Sequence, residues 1–298
     1  MKPQWALAVL ARHCRRNDMT DRMQLQRWEL KYVVPEATAL RIRDYIRSYL
    51  ELDEFGMSQP DLSYSVHSLY LDSADLRIYW GTINGNKNRY KLRVRFYDDQ
   101  PEAPVFFEIK RRVNDAILKQ RGGVKRDAVE AILTGSYPDW EDLSSADTRS
   151  LSAVQNFVKL MLHDHATPRA HVCYRREAWI SSTDNSVRVT FDRQVLCAPE
   201  FTTSFTAELG HPVEVFGNLV VLELKFTGRF PTWFNQLIQR FGLKQRAAAK
   251  YADGVALRGE EYFTHHHAAM LGEGAALASR DLRLASLGEA EVAPVSDF

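Results

Sequence analysis

The sequence predicts an α+β protein: a closed antiparallel β-barrel with amphipathic helices packed against its outside. Three observations lead there. Charged and apolar residues alternate with a strand's period along much of the chain, the faces opposite the charges are strongly apolar, and three helical stretches can cover those faces. At 298 residues, 45% hydrophobic and 26% charged, the chain can form one large core. A net charge of only +1 excludes a global field drawing it to nucleic acid or to an anionic membrane. Any anion-binding capacity must come from how the charges are arranged.

The alternation begins at residues 27–34, with Arg27, Glu29, Lys31 and Val33 on one face and Trp28, Leu30, Tyr32 and Val34 on the other. Residues 36–50 then place Ala39, Ile42, Tyr45, Ile46, Tyr49 and Leu50 at helical spacing. A strand over 64–72 carries Tyr70 and Asp72. Asn84-Gly85 is a tight-turn signal at the end of a partly helical stretch. Next, Arg89, Lys91, Arg93 and Arg95 share a face opposite Tyr90, Leu92, Val94 and Phe96. Glu108 and Lys110 oppose Phe107 and Ile109, and Lys119 and Arg121 oppose Leu118. A second helix over 150–162 carries Leu151, Val154, Phe157, Val158, Met161 and Leu162, and a strand over 171–179 adds Tyr174 and Arg176. Arg188, Thr190 and Asp192 oppose Val187, Val189 and Phe191, and Glu223 and Lys225 oppose Leu222, Leu224 and Phe226. Pro231, favoured at a first helical position, opens a third helix with Phe234, Leu237, Ile238 and Phe241.

An ordinary half-buried sheet would turn its charged faces to water, and that alternative stays open at this point. Against it stands the run of four cations at 89–95, since like charges side by side on one face destabilise a sheet unless something neutralises them. A barrel with these faces inward would enclose eleven cations: Lys31, Arg89, Lys91, Arg93, Arg95, Lys110, Lys119, Arg121, Arg176, Arg188 and Lys225. Only four acids, Glu29, Glu108, Asp192 and Glu223, would oppose them. Such a surplus in a confined space calls for a polyanion, and a chain of phosphates suits guanidinium forks and ammonium groups.

In order along the chain stand Glu29-Leu-Lys31-Tyr32, Ser68-Leu-Tyr70-Leu-Asp72, Arg89-Tyr-Lys91-Leu-Arg93-Val-Arg95 and Glu108-Ile-Lys110. Lys119-Gln-Arg121, Tyr174-Arg-Arg176-Glu-Ala178, Arg188-Val-Thr190-Phe-Asp192, Glu223-Leu-Lys225 and Lys250-Tyr251 follow. Each is weak alone; together, over about residues 24–256, they resemble the VTC (vacuolar transporter chaperone) domain of polyphosphate polymerases. That family is a branch of the triphosphate tunnel metalloenzyme superfamily, which also holds the CYTH phosphatases and cyclases.

The resemblance implies an eight-stranded antiparallel tunnel, a divalent cofactor (Mn²⁺ or Mg²⁺), and transfer of the terminal phosphate of ATP onto polyphosphate. It implies that Lys31, Arg93, Arg95, Lys110, Arg188 and Lys225 are catalytic, with Lys119, Arg176 and Lys250 as further phosphate ligands; Lys91 and Arg121 join them as members of the same charged faces. Glu223 would lead the metal ligands, with Glu29, Glu108 and Asp192 as further candidates. Arg27 stands where CYTH-type members carry the first glutamate of an ExExK pattern, which favours the polymerase branch. Ala249 stands where the VTC pattern has serine before the last Lys-Tyr. Hydrolysis of tripolyphosphate or nucleoside triphosphate, and polyphosphate binding without catalysis, are the alternatives.

The tunnel domain is expected over 24–258, between an N-terminal extension at 1–23 and a mobile tail at 259–298 that includes His265, His266 and His267. The apolar run at 5–11 is too short to span a membrane, so any membrane step falls to a partner protein. Cys14, Cys173 and Cys197 show neither metal-ligand spacing nor a disulfide framework, which fits a reducing cytoplasm.

Overall fold

The two-residue alternation becomes ten β-strands in a computed structural model that describes residues 27–114, 116–184 and 186–264. The elements run β1 (Arg27–Pro35), α1 (Glu36–Ile46), β2 (Glu51–Leu52), α2 (Glu54–Met57), β3 (Tyr64–Asp72), α3 (Arg77–Ile83), β4 (Asn88–Phe96), β5 (Val105–Val113) and β6 (Ala116–Val124). Then come α4 (Val129–Leu133), α5 (Thr148–His163), β7 (Thr167–Ile180), β8 (Val187–Pro199), β9 (Val213–Glu214), β10 (Leu219–Thr227), α6 (Thr232–Arg240), α7 (Lys250–Arg258) and α8 (Glu261–Thr264).

The strand order is β2-β7-β3-β4-β5-β6-β1-β10-β8-β9, and β7 also pairs with β8. Eight strands therefore follow one another in a ring, every pairing antiparallel, with β2 and β9 as short outer additions. The seam between β1 and β6 is thin, joined at Arg27↔Ile117. Register decides which charges meet: Lys31 lies opposite Glu223, Arg93 opposite Glu108, Glu108 opposite Arg121, and Arg176 opposite Asp192.

The apolar outer faces are covered as their composition demands. Helix α5 lays Val154, Phe157, Val158 and Met161 on Leu92, Val94, Phe107 and Ile109, with the Phe107 and Phe157 rings edge to face at 4.9 Å. On the other flank, Ile42 and Ile46 of α1 and Phe234 and Leu237 of α6 bury Tyr32, Leu222, Leu224 and Phe191. A third apolar cluster joins Tyr251, Ala252 and Val255 of α7 to Tyr70, Val172, Tyr174 and Val221, so this helix enters the barrel instead of lying on it. Gly254 permits that approach, since a Cβ there would come within 2.6 Å of Cys197.

Several expectations are corrected. The first helix ends at Ile46, short of Tyr49 and Leu50, and Pro231 is the N-cap of α6 instead of its first residue. Asn84-Gly85 is not a hairpin turn: Asn84 caps the C-terminus of α3 and Gly85 follows at φ 67°, a left-handed conformation open to glycine. The 1–23 extension and the three clustered histidines lie outside the described residues. Of the expected tail, residues 261–264 form α8, and Phe263 is fully buried. Among the described residues no helix is long and apolar enough to cross a membrane. Cys173 and Cys197 are free thiols.

Candidate functional site

The charged faces converge inside the ring as two linked clusters. The first centres on Glu108, which has no exposed side-chain surface. Arg93 Nη2 approaches it at 2.6 Å, Lys119 Nζ at 2.8 Å, Arg121 Nη1 at 3.6 Å and Arg95 Nη1 at 3.8 Å. Burial alone would raise the Glu108 carboxyl, but Lys119, Arg95, Arg93 and Arg121 hold it well below the usual carboxylate range. Hydroxyls from neighbouring strands orient the guanidiniums. Arg93 donates to Tyr70 at 3.1 Å, and Arg95 donates to Tyr174 at 3.1 Å and to Ser68 at 3.4 Å.

The second cluster holds Glu29, Glu223 and Asp192. Glu223 meets Lys225 at 2.6 Å, Lys250 at 3.1 Å, and Lys31 and Arg176 each at 3.5 Å. Glu29 meets Lys110 at 2.7 Å and Lys31 at 3.3 Å. Asp192 accepts both ends of the Arg176 fork, at 2.6 and 2.7 Å, and Lys250 Nζ lies 2.7 Å away. Burial opposes ionisation of Glu29 and Glu223 as well, and the surrounding cations overcome it in both. Lys250 comes from α7, and its ammonium is held charged by Asp192 and Glu223 against the effect of burial.

Helix α7 is fixed by a residue at the end of β3. Asp72, fully buried, accepts backbone N–H bonds from Ser73, Ile78 and Tyr79, the last two in the first turn of α3, and an O–H bond from Tyr251 at 2.8 Å. Burial raises its carboxyl above the ordinary range in spite of these donors. The Tyr251 ring stacks on Tyr70 at 4.8 Å, so one network ties α3, α7 and the Arg93 hydroxyl partner together. Burial would raise the Tyr70 hydroxyl, yet Arg93, Lys91 and Arg95 bring it down to about 8.

Most expected residues thus share one lumen: Lys31, Lys91, Arg93, Arg95, Lys110, Lys119, Arg121, Arg176, Lys225 and Lys250. Arg188 sits at a rim, donating to Asp53 and Tyr64 at 3.1 and 3.3 Å. Arg89 lies at the far end of β4 and donates to the Asn86 carbonyl. The four acids do not converge. Among the described residues no three His, Cys, Asp or Glu side chains come together as metal ligands, because Glu108 is enclosed by the first cluster and Asp192 is clasped by Arg176 and Lys250. Glu29 and Glu223 fit a hard divalent cation better. They flank the same Lys31 ammonium, which lies 3.3 Å from Glu29 Oε1 and 3.5 Å from Glu223 Oε1. Two carboxylates with phosphate oxygens completing the shell is an arrangement Mg²⁺ commonly takes.

An aromatic rim that none of the charged motifs marks lies beside Arg121 and Arg188. There Tyr64 packs on Phe55 and Tyr97, Tyr97 on Phe106, and Arg121 lies 3.7 Å above the Phe106 ring centroid. Tyr64 falls on the same alternate face as Ser68 and Tyr70, a signal that extending the two-residue period would have caught. Inward placement of α7 left no such signal.

A family model described as "VTC domain" matches residues 26–258. The chain is similar in structure to a Bacillus halodurans protein described as a "putative adenylate cyclase", with 13% identity over 75% of this chain and 95% of that one, at a TM-score of 0.42. It is also similar to the PH1819 protein of Pyrococcus horikoshii, with 10% identity, coverage of 78% and 100%, and a TM-score of 0.38. A third structure, from Vibrio parahaemolyticus and again described as a "putative adenylate cyclase", shows 12% identity, coverage of 77% and 98%, and a TM-score of 0.37. The search of curated proteins found no match.

Proposed function

Because this chain belongs to the VTC domain family, we propose that it is a metal-dependent polyphosphate polymerase, moving the terminal phosphate of ATP onto a polyphosphate chain within the lumen. One observation carries the reading. Ten Lys and Arg side chains from six strands and α7 crowd around four buried carboxylates, leaving a positive surplus that a thin polyanion would neutralise.

Phosphoryl transfer needs in-line placement and neutralisation of charge, not a protein nucleophile. Arg93, Arg95, Lys119 and Arg121 already hold one carboxylate between them, so each points at a position a phosphate oxygen would take. Lys31, Lys110 and Lys225 do the same beside Glu29 and Glu223. The aromatic rim of Tyr64, Tyr97 and Phe106 offers ring faces to an adenine, with Arg121 and Arg188 directed at the phosphates behind it. Bound Mn²⁺ or Mg²⁺, held by Glu223 and Glu29, would supply Lewis-acid neutralisation of the transferred group. The proposed setting is the cytoplasm, which fits the two free thiols, with any membrane step left to a partner protein.

Purified protein incubated with ATP and Mn²⁺ should yield long acid-labile chains. Free phosphate alone would make it a hydrolase, and neither product would make it a binding module. Glu223→Gln should abolish turnover while tripolyphosphate still raises the melting temperature, and full activity in that variant would reject the metal assignment.

A further inference from the structure

We propose that Asp53 is a positioning residue for the nucleoside triphosphate: it fixes Arg188 at the mouth of the lumen, beside the aromatic rim, where the guanidinium meets the phosphate nearest the nucleoside. The inference rests on the nucleotide reading above and deepens it. Asp53 belongs to none of the charged motifs; it follows β2 and precedes α2.

Backbone pairing puts its carboxylate in place. Glu51 and Leu52 of β2 pair with Ile180 and Trp179, and the Asp53 N–H donates to the Ala178 carbonyl at 2.8 Å. Oδ1 accepts the Gly56 N–H at 2.9 Å, as the N-cap of α2. Gly56 keeps that turn tight, since a Cβ there would stand 2.8 Å from the Leu62 carbonyl oxygen. Oδ2 then faces the mouth, where it accepts from the Tyr64 hydroxyl and from Arg188 Nη2, each at 3.1 Å. Tyr64 in turn accepts from Arg188 at 3.3 Å, which closes a triangle of three hydrogen bonds. Burial holds the Tyr64 hydroxyl above its ordinary range, so it stays a neutral donor to Asp53.

Arg188 needs such an anchor. It lies directly opposite Lys225 in the register of β8 and β10, and two cations on one face repel. Glu223 holds Lys225 at 2.6 Å on the lumen side, and Asp53 holds Arg188 on the rim side. The acid side chain is 5% exposed and the cation 37%, so the carboxylate is the fixed partner and the guanidinium the reachable one. Among the described residues the side-chain hydrogen bonds of Arg188 run from Nη2, and the rest of its fork stays open to a phosphate oxygen. Tripolyphosphate can lie deeper, on the Glu108 and Glu223 clusters, and gains nothing from this arrangement. ATP, with its nucleoside at the rim, does.

The test measures equilibrium binding of ATP and of tripolyphosphate to the full chain as wild type, Asp53→Asn, Tyr64→Phe, Arg188→Gln and Asp53→Asn/Arg188→Gln. Asn caps a helix as well as Asp does, so Asp53→Asn removes the charge and keeps the turn. It should weaken ATP binding about fivefold, the size of a partly exposed charge pair, with tripolyphosphate within about twofold. Tyr64→Phe, which keeps the ring, should show the same selectivity to a smaller degree, and it decides by the same criterion should Asp53→Asn fail to fold. Adding Asp53→Asn to Arg188→Gln should cost ATP nothing more, since Asp53 acts through that guanidinium. In turnover, the KM for ATP should rise while kcat stays within about twofold. Unchanged ATP affinity in Asp53→Asn overturns the assignment, and so does an equal loss for both ligands or a full further loss in the Arg188→Gln background. A wild-type chain that ignores tripolyphosphate but loses ATP binding on Asp53→Asn overturns the lumen reading and keeps the assignment.

Discussion

Replacing Glu108 by Gln removes the one negative charge that four cations share, and the shape of the side chain hardly changes. Arg93 and Arg95 are largely buried there, at 15% and 7% side-chain exposure, while Lys119 and Arg121 keep about a third of their surface in water, at 35% and 34%. Breaking a buried ion pair costs about 3–5 kcal/mol; solvent screening of the two outer partners places this case at about 3 kcal/mol. For a chain of this size that is roughly 6–12 °C in melting temperature. The assay is thermal unfolding in buffer free of phosphate and sulfate, repeated with saturating tripolyphosphate. A ligand at 100 times its dissociation constant adds about 2.7 kcal/mol to the wild type. Glu108→Gln should gain more, since phosphate replaces the missing charge. A variant as stable as wild type without anion, or one that gains nothing extra from tripolyphosphate, would refute the idea that Glu108 stands in for the substrate's charge.

Further outcomes follow from groups with displaced titrations and from close packing. Burial, with Lys31 and Lys110 nearby and Tyr70 opposing them, brings the Lys91 ammonium down to about 8, and the Tyr70 hydroxyl also sits at about 8. As pH rises through 8 the lumen loses the positive charges of Lys91 and of Lys225, which burial also brings down to about 8, and gains a negative one at Tyr70, so tripolyphosphate affinity should fall between pH 7 and 9, and Lys91→Met with Tyr70→Phe should make the profile shallower. The free protein should move the other way. The folded values lie below the unfolded ones of 10.5 for the two lysines and 10.0 for Tyr70, the unfolded chain binds more protons between about 8 and 10, and stability from these groups rises with pH there. Gly122→Ala should cost about 2 kcal/mol, or roughly 4–8 °C in calorimetry, because a Cβ would stand 2.5 Å from the Ser150 carbonyl oxygen and 2.5 Å from Val154 Cγ2, where α5 rests on β6.

The barrel strands were legible because a strand with two chemically different faces writes its period directly into the sequence. In β4, Arg89 to Arg95 alternate with Tyr90 to Phe96, and the pattern states both that this is a strand and that its faces differ. Inward direction of the charged face followed from the need to cover Leu92, Val94 and Phe107, which α5 does. Lys250-Tyr251 was legible only as a motif. Its helix owes its place to long-range contacts, Tyr251 with Asp72 and Lys250 with Asp192, and no local periodicity encodes a helix lodged inside a barrel. Asn84-Gly85 misled for a related reason: the same dipeptide suits a hairpin turn or a helix C-terminus, and the preceding Ile78 and Tyr79, buried with Asp72 capping them, decide for the helix.

Position along the barrel is what alternation leaves unwritten, and it separates the four carboxylates. Period alone places Glu29, Glu108, Asp192 and Glu223 on inner faces, so all four read as candidates for one metal. Cross-strand register then distributes them: Glu108 opposite Arg93 and Arg121, Asp192 opposite Arg176, and Glu223 opposite Lys31. An acid facing two guanidiniums is neutralised by protein alone, while one facing flexible ammoniums can release them to a phosphate and turn to a cation. That difference in partner chemistry, more than the number of acids, is why the proposed metal is assigned to Glu223 and Glu29, and why the role proposed for Glu108 is to hold Arg93, Arg95, Lys119 and Arg121 in place.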